Sequence, residues 1–139
     1  MTGVLRQRDV RFAPAFDAPI PHPNGLQASG EGLWIADERQ GWAYLVNFHD
    51  GKVIRSFATG AGLSSGITYG GGALWMCSNG LPIERETCPS DTKHVRIVKS
   101  DPNNGNSLAE FLMPDDDDCH GIEWTAEGLW LTSVDRQKL

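Results

Sequence analysis

Three copies of one pattern of glycine and hydrophobic residues occur along the chain. Each copy begins with a glycine followed by leucine or isoleucine, and it ends at a Leu-Trp pair whose tryptophan lies nine residues beyond the glycine. The glycine and tryptophan pairs are Gly25 and Trp34, Gly66 and Trp75, and Gly121 and Trp130. Because an internal repeat determines the architecture before local propensity does, we expect the chain to consist of repeated structural units.

Short runs rich in β-branched and aromatic residues follow the first two copies. The runs are 42–46 and 53–57 in the first repeat and 94–98 and 107–111 in the second. Asp50-Gly51 separates the first two runs and Pro102 to Gly105 the second two, and such sequences are typical of hairpin turns. Each complete repeat therefore predicts four short antiparallel strands, which is the composition of a β-propeller blade.

The repeat boundaries predict an all-β, single-domain β-propeller with three blade equivalents per chain. Residues 17–57 and 58–111 form two complete blades, the second with an inserted loop at 79–93 between its second and third strands. Residues 1–16 read as the outer half of a blade and 112–139 as the inner half. When the end of one copy is joined to the start of another, the spacing matches the complete first repeat to within two residues.

Three blades cannot close a ring, because propellers have about four to eight blades and an open one leaves apolar faces in water. The complementary half-blades favour a homodimer with two-fold symmetry, in which strand exchange completes a six-bladed propeller. The alternative is that the sequence is a fragment of a longer single-chain propeller.

Composition excludes several classes of function. The net charge of −6 does not fit a nucleic-acid partner, which requires a basic surface. No apolar run is long enough to span a membrane, and the first ten residues lack the apolar segment of a signal peptide, so we expect a cytoplasmic protein. The odd number of cysteines (Cys77, Cys88 and Cys119) favours free thiols, with a Cys88–Cys119 disulfide as the alternative in an oxidising compartment.

The pattern Gly-Leu-x-x-x-Gly-x-Gly-Leu-Trp-Ile-Ala-Asp at 25–37, and the related segment at 120–131, resemble six-bladed propellers of the NHL type. This group includes the gluconolactonase and senescence-marker-protein family and streptogramin lyase. The resemblance implies a site on the central axis, at the end where outer strands connect to the next inner strand. It does not select one activity, because the group contains lactone hydrolases, lyases and binding platforms.

The residues that precede the repeat glycines are candidates for this site. They are Asn24, Ser65 and His120, and a dimer would arrange six such side chains around the channel mouth. His120 is the candidate catalytic residue because imidazole can act as a general base or hydrogen-bond donor. His22 is expected at the same end. The alternatives are that Asn24 caps a turn and that Ser65 belongs to an ordinary loop.

Metal dependence stays open at the level of sequence. The gluconolactonase-like enzymes coordinate a divalent metal through Glu, Asn and Asp, and only Asn24 matches a position of that set. The run Asp115 to Asp118 favours a solvated, self-repelling loop over an ion site.

The sequence thus favours a propeller that binds a small molecule at the channel mouth, with metal-assisted hydrolysis or lyase chemistry as candidate activities. The alternative function is a non-catalytic platform for proteins or peptides. The inserted loop 79–93 is expected to act as a partial lid over the axis.

Overall fold

In the part of the chain that the structure describes, antiparallel β-sheet forms all the regular structure apart from one 3-10 turn at Pro114–Asp116. The computed structural model describes residues 10–87 and 91–134. Ten strands occur in these ranges, and they form two four-stranded sheets and one two-stranded sheet. The prediction of an all-β chain is confirmed. No helix within these two ranges is long and apolar enough to cross a membrane.

Each sheet is a meander in which every strand pairs with its neighbour in sequence. Sheet 1 contains β1 (Pro23–Ala28), β2 (Leu33–Asp37), β3 (Trp42–Val46) and β4 (Val53–Ala58). Sheet 2 contains β5 (Ile67–Gly70), β6 (Ala73–Ser78), β7 (Arg96–Ser100) and β8 (Ser107–Leu112). Sheet 3 contains β9 (Cys119–Thr125) and β10 (Gly128–Ser133). The predicted four-strand repeat is thus present twice, followed by a strand pair.

Turn chemistry explains the two outer hairpins. Gly51 and Gly105 have φ of +69° and +78°, a conformation that glycine adopts without a steric penalty. The carboxylate of Asp50 accepts a hydrogen bond from the backbone N–H of Lys52 at 3.0 Å, and Asp101 accepts one from Asn103 at 2.8 Å. These Asx-type contacts reverse the chain where the sequence predicted it.

Strand β7 begins two residues later than the run 94–98 predicts. The N–H of Val95 donates to the carboxylate of Asp116 at 3.0 Å, so this part of the run contacts the Pro114–Asp116 turn before the ladder with β6 begins at Arg96. A contact with a segment twenty residues away overrides the local strand propensity here.

The three sheets pack through their first strands, β1, β5 and β9, and glycine makes this close approach possible. A Cβ atom added to Gly66 would overlap the carbonyl oxygen of His120 on β9, and one added to Gly25 would lie 3.0 Å from the backbone nitrogen of Ile67 on β5. A side chain does not fit at Gly66 unless the backbone shifts, and at Gly25 it would fit only if Ile67 moved by a few tenths of an ångström. The repeat glycines therefore set the distance between sheets.

Hydrophobic side chains fill the space between successive sheets. Trp34 on sheet 1 is buried and stacks on Tyr69 of sheet 2, with ring centroids 6.5 Å apart. Between sheets 2 and 3, Ile97 and Ile122 form a second buried cluster, against which Leu131 packs. The repeat tryptophan of one sheet is thus covered by the sheet that follows it in sequence.

Burial at equivalent positions depends on which neighbouring sheet is present. Ile67 and Ile122, which follow the second and third repeat glycines, are 4% and 9% exposed, because each packs beneath the glycine of the preceding sheet. Leu26 holds the same position in sheet 1 and is 61% exposed, since no other sheet of the described residues packs against it. Conversely, Trp34 is 2% exposed and Trp130, in the last sheet, 55%.

The N-terminal segment follows the same packing rule. Phe57, on β4 of sheet 1, packs against Gly105 in the hairpin turn of sheet 2, and Phe16 packs against Gly51 in the equivalent turn of sheet 1. Phe16 therefore occupies the place of an outer-strand phenylalanine from a preceding sheet. Residues 10–16 are not in a strand, and residues 1–9 of the predicted outer half-blade lie outside the described residues.

The crossing at Gly66 can be tested by substitution. We predict that Gly66→Ala lowers the free energy of unfolding by about 1–3 kcal/mol, because the new methyl group forces the backbones of β5 and β9 apart. Gly30→Ala is the matched control, since a Cβ at Gly30 would meet nothing within 4 Å. Urea unfolding at one fixed protein concentration measures both, and equal stability of the two variants would contradict close packing at this crossing.

Candidate functional site

The connections before each first strand and the turns after each second strand lie at one end of the stacked sheets. The same backbone hydrogen bond marks this end in all three sheets, with N···O distances of 3.0 Å. The pairs are Glu38 N–H to His22 O, Asn79 N–H to Gly62 O, and Val134 N–H to Asp118 O. We call this the connection end. It is the end at which the sequence predicts a site, and the inserted loop begins there.

Two of the predicted site residues are accessible at the connection end. Asn24 lies on β1 and His120 on β9, and both are exposed. Asn24, Ser65 and His120 each directly precede a repeat glycine; Asn24 and His120 lie in strands, whereas Ser65 lies in the connection that ends before β5 begins at Ile67.

Ser65 differs from the other two because its hydroxyl is engaged within the protein. It donates a hydrogen bond to the carbonyl oxygen of Cys119 at 2.6 Å and accepts one from the side-chain amide of Asn79 at 3.0 Å. These contacts join sheet 2 to sheet 3. The role of Ser65 is therefore to position the first strands relative to each other.

Asn79 is a residue whose importance the sequence does not reveal. Its Oδ1 accepts a hydrogen bond from the backbone N–H of Cys119 at 3.1 Å, and its Nδ2 donates to the carbonyl of Cys119 at 2.9 Å. The side chain thus mimics a strand partner for the start of β9. The equivalent residue in the first repeat is Glu38, so the repeat pattern carries no signal for this contact.

His22 and the inserted loop meet above sheet 1. Nδ1 of His22 lies 3.4 Å from Oε2 of Glu84, and Nη1 of Arg39 lies 2.9 Å from the other oxygen of Glu84. The backbone N–H of Ile83 donates to the carbonyl of Arg39 at 2.8 Å. The described part of the loop therefore folds back over the connection end of sheet 1, although such partly exposed ion pairs contribute only about 0–1 kcal/mol each.

The acidic run before β9 makes contacts within the protein. Hydrogen bonds from His94 and from the N–H of Val95 lower the pKa of Asp116, which stays ionised. Asp117 is buried and accepts a hydrogen bond from the hydroxyl of Ser133. Asp116 and Asp117 are thus held by contacts within the protein, which differs from the solvated, self-repelling loop that the sequence favours.

A divalent metal of the gluconolactonase type does not fit the residues at this end. Asn24 is the only candidate ligand carried by the resemblance, and Ser65, its equivalent on the next strand, is committed to Asn79 and Cys119. Across residues 10–87 and 91–134, no three His, Cys, Asp or Glu side chains form a group that could hold a metal ion. We derive no chemistry that passes through a metal.

Comparison with known proteins gives a likeness of shape alone. No family model matches the chain, and no curated protein matches it. Among solved structures, the chain is similar to the crystal structure of the computationally designed Ika4 protein, with 8% sequence identity and a TM-score of 0.47. The alignment covers 90% of this chain and 94% of that one.

From the hydrogen bonds of Asn79 we predict that replacing this loop residue lowers the free energy of unfolding substantially. Asn79→Ala should lower the free energy of unfolding by about 1–3 kcal/mol, because the backbone N–H of Cys119 loses its hydrogen bond to Asn79 while the carbonyl keeps only the one from Ser65. Asn104→Ala is the control, since Asn104 accepts one exposed turn hydrogen bond, and we expect a change within about 0.5 kcal/mol. Equal effects in urea unfolding would show that Asn79 does not hold β9.

Proposed function

We propose that this chain is half of a six-bladed β-propeller, that a second copy closes the ring, and that the closed ring binds a small polar molecule at the connection end of its axis. In this proposal sheets 1 and 2 are complete blades. Sheet 3 is the inner half of a blade, whose outer half is the segment 1–16 of the second copy.

The observation that carries the proposal is the one-sided burial of the first strands. Ile67 packs beneath Gly25 and Ile122 beneath Gly66, whereas Leu26 is exposed and the three atoms nearest a Cβ on Gly121 all belong to Thr132 of its own sheet. In the proposed dimer, Leu26 of one copy packs beneath Gly121 of the other, as Ile67 packs beneath Gly25 within the chain. Two such contacts, related by a two-fold axis, close a ring of six sheets.

The open face of sheet 3 has the shape that this contact requires. Trp130 lines a shallow, apolar depression of about 310 Å³ that also includes Gly121 and Leu131. The equivalent surfaces of sheets 1 and 2 are covered by the next sheet. An exposed apolar depression rimmed by strand edges is typical of a protein interface.

The burial of the outer strands supports the proposed ring independently. Phe57 on β4 is 8% exposed because the hairpin of sheet 2 covers it, whereas Phe111 holds the same position on β8 and is 52% exposed. Among the described residues sheet 3 has two strands, and no outer strand covers Phe111. The N-terminal segment of a second copy would cover it, because Phe16 already packs on sheet 1 as an outer-strand residue does.

Ring closure would also complete the candidate site. Sheet 3 of one copy would then adjoin sheet 1 of the other, so that His120 and the second copy's Asn24 become neighbours across the interface. Both side chains are accessible, and together they offer imidazole and amide groups to a polar ligand. We propose binding by these groups, and we do not assign a reaction to His120.

A peptide platform is the second candidate function, and one feature favours it. Leu81 and Ile83 of the inserted loop are 41% and 60% exposed at the connection end. Apolar side chains in this position would suit an apolar peptide better than a small polar molecule.

The assembly predicts a mass in solution close to twice 15.2 kDa. Leu26→Asp should convert the protein to single copies or aggregates, because it places a charge in the apolar contact with Gly121. Ile83→Asp is the matched control, since Ile83 is equally exposed but lies on the inserted loop, and it should leave the mass unchanged. Light scattering after size-exclusion chromatography measures all three proteins.

A well-folded monomer of the unaltered chain would contradict the closed ring, and so would a Leu26→Asp variant that keeps the doubled mass. A tandem fusion of two copies provides a further check. It should behave as a single-chain ring, and Leu26→Asp in both halves should destabilise it without changing its mass.

If the proposed site binds a ligand, substitution of its side chains should weaken binding of that ligand. We would screen small lactones, sugar acids and short apolar peptides for thermal stabilisation, since a ligand at 100 times its Kd stabilises the folded state by about 2.7 kcal/mol. His120→Ala and Asn24→Ala should each weaken a polar hit about tenfold, as expected for one lost hydrogen bond. His49→Ala, in the β3–β4 turn at the opposite end, should have no effect. Peptide hits that respond to Ile83→Asp but not to His120→Ala would favour the platform instead.

A further inference from the structure

The interface between sheets 2 and 3 contains a pair of cysteines that the preceding interface lacks. Cys77 on β6 and Cys119 at the start of β9 are both fully buried, and their Sγ atoms lie 2.6 Å apart. Counted from the repeat glycines and tryptophans, the equivalent residues between sheets 1 and 2 are Ala36 and Ser64, which are also fully buried. Two thiols thus occupy a position that a methyl group and a hydroxyl fill elsewhere in the same chain.

The backbone of Cys119 is fixed in place opposite Cys77. Asn79, two residues beyond Cys77, contacts both the N–H and the carbonyl of Cys119, and the hydroxyl of Ser65 donates to the same carbonyl. The hydrogen bonds come from sheet 2 and from the connection that leads into it. They hold the Cys119 side chain against β6, so the proximity of the two sulfurs follows from the surrounding structure.

The two thiols differ in acidity. The contact with Cys77 lowers the pKa of Cys119, whereas the contact with Cys119, together with burial, raises the pKa of Cys77. In the packed state the Cys119 thiol is therefore the more acidic of the two, and the thiolate is the form that attacks in disulfide exchange.

We propose that Cys77 and Cys119 form a disulfide that fastens sheet 3 to sheet 2, by exchange with a low-molecular-weight disulfide. The Cys119 thiolate attacks one sulfur of that molecule, breaks its S–S bond and releases one thiolate. Cys77 then loses its proton to solvent and attacks Sγ of Cys119, which forms the Cys77–Cys119 bond and releases the second thiolate. The protein is oxidised by two electrons, and the small disulfide is reduced to two thiols.

Burial determines when this exchange takes place. Both sulfurs are inaccessible while sheet 3 is packed, so the reagent reaches Cys119 when the two strands of sheet 3 separate from sheet 2. Once formed, the bond links residues 42 positions apart and restricts the unfolded chain. The inference rests on the interface between sheets 2 and 3 within one chain, and it stands whether or not a second copy closes a ring.

The full-length chain tests the proposal directly. It is equilibrated with oxidised glutathione or with dithiothreitol, denatured, alkylated and digested for mass spectrometry. We expect three alkylated cysteines after reduction and, after oxidation, a linked Cys77–Cys119 peptide with Cys88 alkylated. The oxidised protein should melt roughly 10 °C higher than the reduced one, because a cross-link over a loop of this length lowers the entropy of the unfolded state.

Two variants separate the specific bond from general effects of oxidation. Cys88→Ser should keep the linked peptide and the full shift in melting temperature. The double variant Cys77→Ala with Cys119→Ser copies the residues of the preceding interface, and its melting temperature should not respond to redox conditions. A disulfide that includes Cys88, a bond between chains, or three alkylated cysteines after oxidation would each overturn the proposal.

Discussion

The contact between neighbouring sheets depends on the absence of a side chain where their first strands cross. At Gly25 and Gly66 the next strand approaches so closely that a methyl group would meet its backbone. This approach lets Ile67 and Ile122 fill the space beneath the glycines, and it brings each sheet near enough to cover the preceding tryptophan. These two crossings determine the spacing of the sheets, and through it the burial of the core and the position of the connection end.

The packing has a direction, because each sheet covers the tryptophan face of the sheet before it. A stack built in this way has two different ends, and the chain shows both. Leu26 is exposed at the first end and Trp130 at the last. In the proposed ring these two ends would meet, so association would need no binding motif beyond the repeat itself. Burial of these two faces is the main energetic gain that a second copy would provide.

The sequence predicted the features that every repeat shares, since their physical cause acts locally and more than once. Gly66, Trp34 and the turn at Gly51 each have counterparts, and the structure places them as expected. Features that occur once were not predictable in this way. The bond between Asn79 and Cys119 spans 40 residues and has no equivalent in the first repeat. The engagement of Ser65 likewise depends on that contact, so its spacing alone suggested a site residue.

The order of the strands has a consequence for synthesis of the chain. Every strand pairs with its neighbour in sequence, so sheet 1 is complete before the first strand of sheet 2 leaves the ribosome, and contact order within each sheet is low. Each newly made sheet then covers the tryptophan of the previous one. During translation, therefore, the tryptophan face of each newly made sheet stays exposed until the next sheet covers it, and among the described residues Trp130 of sheet 3 is the repeat tryptophan that remains exposed.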